Sequence, residues 1–262
     1  MQPCAGKYVL RTKERTMKFV FTLLTFCLTL GLGAQHNYNS GWGNQEKVRG
    51  NGEVASEDRA VAAFSGIKVC CSLVVEVRQG ATQSVKVKAE SNLLPYVETS
   101  VIGGRLEVDF KRKVNIKANE KIVVYVTTPE LDYVSSSSAS SVIGKSAFSG
   151  EELELRVSSA GFVDVEFSGD LVRANANSGG RIELSGSGAN LKAVASSGAK
   201  VQAGDFVAAT GKASASSGGG VKVNVTDNLD AKASSGGNVR YQGKPASVAA
   251  DKSSGGSIRK VF

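Results

Sequence analysis

The chain predicts an all-β fold: a single-stranded, right-handed parallel β-helix with coils of about 19 residues, preceded by an N-terminal β region that caps or continues it. Three observations carry that prediction. First, one Ser-centred frame occurs seven times between Ser135 and Phe262, with second serines at Ser138, Ser159, Ser178, Ser197, Ser217, Ser235 and Ser254. These recur after 21, 19, 19, 20, 18 and 19 residues, the period of a stacked solenoid. Second, Val or Ile stands four residues after each of them: Val142, Val163, Ile182, Val201, Val221, Val239 and Ile258. Third, apolar residues alternate on both sides, as in Leu153/Leu155/Val157 and Val163/Val165, with polar residues between. That is the period of a strand with one buried face, and no helix-period stretch interrupts it.

A coil of about 20 residues is too short for a strand-helix-strand crossover of about 30. It suits two or three short strands joined by turns, stacked on the next coil at about 4.8 Å. Right-handed winding is expected from the twist of strands. Gly after the Ser pair permits positive φ at a corner. With the second Ser as position zero, its parity matches that of the apolar residues. The seven serines are therefore expected to point inward and stack as a hydroxyl ladder. Alanine-rich positions −4 and −2 imply a thin core. The end copies are atypical, with Ser136 at −2 in the first and Lys252 at −2 in the last, as expected of caps on an open edge.

From the N-terminus, Met17-Lys18 precede an apolar run, Phe19 to Leu32, and then Gly33-Ala34-Gln35. Residues 1–34 read as a secretory signal peptide, for which Met17 is the better start. The apolar run is shorter than the ~20 residues of a membrane span, so no transmembrane segment is expected in the exported chain. Lipid attachment at Cys27 is disfavoured by bulky Phe26 before it. Residues 35–57 are rich in Gly, Asn, Gln and Ser and hold the only His and Trp, His36 and Trp42; they read as a flexible linker.

Residues 58–134 alternate as well, in segments Phe64–Val69, Leu73–Val77, Val85–Ala89, Tyr96–Val101, Leu106–Phe110 and Ile122–Val126. Pro129, which a central strand does not accept, marks the junction with the repeats of 135–262. Cys71 shares parity with the apolar residues and reads as buried, with Cys70 outward. The pair is either a small buried hydrophobe beside an incidental thiol or a vicinal disulfide. Two adjacent Cys without a second pair do not make a zinc site.

The stretches Phe64-Ser65-Gly66-Ile67-Lys68-Val69, Val75-Glu76-Val77-Arg78-Gln79-Gly80 and Val85 to Leu94, then Gly104-Arg105-Leu106-Glu107-Val108 and the Ser-Gly repeats, resemble the bacterial auto-transporter adhesin family with a head GIN domain, a domain of unknown function. The resemblance runs from about Asp58 to Phe262. It implies an exported β-helical protein, nominally an adhesin, and brings no catalytic motif and no ligand.

Catalysis is not expected. One His removes most acid–base schemes, and a polysaccharide-active site needs carboxylates clustered in a cleft. Asp164, Asp170, Glu183, Asp205, Asp227 and Asp230 are read as occupying different frame positions without stacking as a pair. The copies lack the regular Asp of calcium-binding repeats, and no phosphate-binding loop opens a helix. No cofactor or metal is implied.

The formal charge is +8, but five basic residues lie within the first 18 positions, so the exported chain is only mildly basic. That and the export signal argue against nucleic acid. Two outward columns of cations stand out: Arg173, Lys192 and Lys212 at position −5, and Lys222, Arg240 and Arg259 at +5. Either column suits an anionic glycan or surface polymer; either also serves as a solvated face that deters lateral aggregation. The reading is an exported, non-catalytic binding or adhesion module of the surface or periplasm. The alternatives are a structural component of the cell envelope and, last, a polysaccharide-active β-helix enzyme.

Overall fold

A computed structural model describes residues 45–261. The expected signal peptide, with Cys4 and Cys27, and the expected linker residues His36 and Trp42 lie outside the described residues. The chain forms β1 (Glu46–Arg49), β2 (Val54–Asp58), β3 (Gly66–Val69), β4 (Val74–Gln79) and β5 (Ser84–Glu90), then one 3-10 turn at Leu94–Tyr96. Next come β6 (Val97–Ile102), β7 (Arg105–Phe110), β8 (Val114–Lys117), β9 (Val123–Thr128) and β10 (Tyr133–Ser136). The repeats are β11 (Ser141–Val157), β12 (Phe162–Ala176), β13 (Arg181–Ala195), β14 (Lys200–Ala215) and β15 (Gly220–Ala233). The last coil and a half is broken into β16 (Asn238–Gln242), β17 (Ser247–Lys252) and β18 (Ser257–Lys260).

Coils β11 to β15 pair in parallel, each with the next, so the chain is the expected β-solenoid. Each regular coil is one long bent strand closed by one tight turn, not two or three short strands. The turn explains the Ser-Gly frame. In Asn177-Ser178-Gly179-Gly180 both central residues have positive φ, 48° and 72°, and the Gly180 N–H donates to the Asn177 carbonyl at 2.9 Å. This is a type I′ turn, whose two left-handed residues match strand twist. It recurs at all seven copies, with φ of 46° to 51° at the serines.

The inward serine ladder is corrected by this geometry. Ser138, Ser159, Ser178, Ser197, Ser217, Ser235 and Ser254 are all exposed. A left-handed residue breaks strand alternation, so parity carried across the turn assigns it the wrong face. The ladder is made by backbone instead. Each serine carbonyl accepts from the residue after the preceding copy's serine, as in Gly179 N–H to Ser197 O and Gly198 N–H to Ser217 O, both 3.1 Å. The inward place belongs to position +2, filled by Gly161, Gly180, Ala199, Gly219 and Gly237. A Cβ on Gly237 would stand 2.3 Å from the Ala215 carbonyl oxygen. In the first copy Ser140 fills this place. Its buried hydroxyl donates to Val69 O at 3.0 Å and lies 2.9 Å from Ser136 Oγ, so the polar pair is satisfied.

The alternating residues on either side are buried as expected, among them Leu153, Leu155, Val157, Val163, Ile182 and Val201. Position −4 stacks as Leu155, Ala174, Ala193, Ala213 and Ala231 in register. The core is less thin than alanine implies, because Phe148, Phe167 and Phe206 are fully buried on the far side of the coil.

The N-terminal β region both continues and caps the solenoid. β3 pairs in parallel with β10 on one side and β7 on the other, and β4 lies likewise between β11 and β9. Cys71 (φ 67°) and Ser72 (φ 60°) form the same left-handed corner between β3 and β4, and the Ser72 N–H donates to Ser138 O at 2.9 Å. Antiparallel strands then cover this end: β6 on β7, and β5 on β9 with β2 beyond it.

Part of the expected linker is ordered strand. β1 pairs with β8, and β2 pairs with β5. The anchor is Glu90, fully buried. Its carboxylate accepts from Gly52 N–H at 2.6 Å, Asn119 N–H at 2.8 Å and Asn119 Nδ2 at 2.8 Å. Composition alone reads residues 45–57 as linker because their order comes from these distant partners.

Candidate ligand-binding face

Outward residues at one frame position form columns along the solenoid, about 4.8 Å per rung. The −5 column runs Glu154, Arg173, Lys192, Lys212, Asp230 in register. The three predicted cations therefore stack, but between acids, and Arg173 also pairs with Glu152 of the neighbouring coil.

The +5 column is different. It runs Glu76, Ile143, Asp164, Glu183, Gln202, Lys222, Arg240, Arg259. The three predicted cations occupy successive rungs at its C-terminal end, and among the described residues none of them makes an ion pair within the chain. Lys200 adds a fourth cation two residues before Gln202. Between this column and the turn ridge lies a groove of about 340 Å³, lined by Lys200, Gln202, Lys222, Asn238, Arg240 and the backbone of Gly218–Gly220.

Asp164 and Glu183 are in direct register, which corrects the expectation that these carboxylates do not stack. Burial, and then the Glu183 carboxylate beside it, hold the Asp164 carboxyl above its ordinary value. Glu183 is held by Arg181, whose Nε donates to it at 2.7 Å. The two carboxylates stand on neighbouring strands, β12 and β13, of one outward column. Lys200, Asp164 and Glu183 were each readable from the frame, since the two acids share position +5.

The expected buried place of Cys71 is also corrected: both cysteines are half-buried at the corner. Their sulfurs are joined as a vicinal disulfide. The Asp109 carboxylate lies 2.9 Å from Cys70 Sγ and 3.2 Å from Cys71 Sγ.

A family model described as "Putative auto-transporter adhesin, head GIN domain" matches residues 63–245, more than half the chain. The chain belongs to this family. No curated protein matches this head GIN protein. Its fold is shared with a protein titled a putative adhesin from Bacteroides fragilis NCTC 9343 (TM-score 0.76, 17% identity, covering 82% of this chain and 100% of the other). A second so titled, from Parabacteroides merdae ATCC 43184, gives a TM-score of 0.66 at 23% identity, covering 83% of this chain and all (100%) of its own. A third, from Parabacteroides distasonis ATCC 8503, is titled a putative lipid binding protein (TM-score 0.66, 20% identity, 83% and 100% coverage). At these identities the likeness establishes the fold and no ligand.

Proposed function

We propose that this head GIN protein is an exported, non-catalytic binding or adhesion module. Its ligand side is the basic end of the +5 column, and its ligand is an anionic glycan or surface polymer. The observation that carries the reading is the run Lys222, Arg240, Arg259 on successive rungs, with Lys200 beside them and, among the described residues, no acid in an ion pair with them. Like charges stacked at about 4.8 Å repel, and a polyanion laid along the column relieves that repulsion. A repeating ladder also suits a repeating ligand, since several weak contacts on one chain add through effective concentration. The −5 column supports this less, because Glu152, Glu154 and Asp230 already offset its cations. The apolar run Phe19–Leu32 supports export.

A glycan and matrix-polymer array probed with the purified protein at low and high salt tests the reading. Selective retention of anionic polymers, weakened by salt, is expected. Reversing Lys222 and Arg240 to Glu should abolish it, while Lys192→Glu with Lys212→Glu should reduce it less. Retention that ignores salt, or that survives loss of Lys222 and Arg240, would remove the +5 column as the ligand side.

A further inference from the structure

The +5 column is antisymmetric about Gln202. One rung before it stands Glu183 and one rung after it Lys222; two rungs before stands Asp164 and two after Arg240. We infer that this face pairs with the same face of a second copy of the chain. The solenoid axes run antiparallel, and a two-fold axis lies along the strand at Gln202. Asp164 then meets Arg240 of the other copy, Glu183 meets Lys222, and each pair occurs twice. Such an isologous contact needs one self-complementary patch, and this column is one.

Neighbouring residues fit the same operation. At position +3, Arg181 faces Gly220 of the other copy, where no side chain occupies the space. On the axis, the two Gln202 amides each offer a donor and an acceptor. Like charges meet only on that rung, Lys200 on Lys200 and Asp205 on Asp205. Among the described residues, Asp164, Lys222 and Arg240 make no ion pair within one chain, so their pairing capacity is free, while Glu183 already pairs with Arg181. From Asp164 to Arg240 is four rungs, or about 19 Å. A patch of this length belongs with small, transient interfaces, and exposed ion pairs make it sensitive to salt.

The inference does not depend on polymer binding, although both use Arg240 and Lys222, so bound polymer would compete with the second copy. Sedimentation equilibrium of the protein alone, without polymer, tests it. The mass should rise from one to two chains with concentration at low salt, and return to one chain in about 0.5 M salt, where the screening length is only a few ångströms. Asp164→Arg, or Arg240→Asp, should each weaken the dimer about tenfold or more, because two attractive pairs become repulsive. The double reversal Asp164→Arg with Arg240→Asp should restore it, which also controls for folding. Lys200→Gln should tighten it by removing the like charges on the axis. A single-chain mass at every concentration in low salt would overturn the inference, as would a dimer indifferent to the single reversals or not restored by the double one. Neither result bears on the array measurement, so the two ideas fail separately.

Discussion

Glycines 218 and 237 look alike in sequence and do different work. Gly218 is the second left-handed residue of its turn, with φ of 72° and open space where a Cβ would stand. Gly237 follows the left-handed pair of its own turn and faces inward against the Ala215 carbonyl. Gly218→Ala therefore costs only the left-handed conformation, about 1–2 kcal/mol. Gly237→Ala forces backbone apart and should cost about 3 kcal/mol or more. Ala160 already holds the Gly218 place in its own turn, at φ 59°, so Ala160→Gly should stabilise the protein by about 0.5–1 kcal/mol. Urea unfolding of the three variants checks the order. Equal costs at the two glycines would mean that the corner relaxes and the inward place is not tight. Ser217→Asn belongs to the same series: its hydroxyl points to solvent, and Asn-Gly is the favoured pair of a type I′ turn, so a gain of a few tenths of a kcal/mol is expected.

At the scale of elements, the repeat spacing made the stack and its buried faces legible, because alternation is local to each strand. The N-terminal strands were legible for the same reason, with only β8 and the two strands of the linker missed. What escaped was whatever crosses a turn or a bulge. The corner at Cys71-Ser72 is in frame with the seven copies, since Val75 stands four residues on, but the next copy follows only after β5 to β9 are inserted. Phe148, Phe167, Gly186 and Phe206 share one register column yet sit at different frame numbers, because extra residues between Ile143 and Ala147, and around Gly204, shift the register. The acids of the +5 column needed no structure to be found; reading the column only for cations hid its antisymmetry. The Glu90 latch was invisible, since its partners lie 29 and 38 residues away. Burial alone would raise the Glu90 carboxyl, but hydrogen bonds from Asn119, Gly52 and Glu120 outweigh it and hold the group below its ordinary value. Its folded value lies below its unfolded one, so the stabilisation is full above the ordinary carboxylate range, near 4.3. It is lost as pH falls through the folded value. Thermal unfolding should show a loss of stability in acid that Glu90→Gln lacks, with the variant less stable at neutral pH. Parallel acid profiles for the two proteins would show that Glu90 is not the latch.

For the molecule as a whole, the two ends differ, and a solenoid's stability is a sum of neighbour terms that makes ends matter. At the N-terminal end the outermost parallel strands, β7 and β9, are covered by antiparallel β6 and β5. At the other end, among the described residues, β17 pairs only with β15 and β18 only with β16, and every residue of β17 is exposed. Lys252 and Asp251 stand there in place of the alanine and polar pair of earlier coils, so the last rung adds little buried apolar surface while its charges discourage another chain from docking. Local opening should therefore begin at β17 and β18 and proceed inward. Hydrogen exchange read residue by residue should give weakest protection in β17 and β18, rising through β15 to a plateau in β12 and β13, with β3 and β4 near that plateau. The two-ended alternative, symmetric fraying, would give β7 and β9 exchange rates close to those of β16 and β17. That outcome would mean that the antiparallel strands do not act as a cap, and that their place against the first coils has another cause.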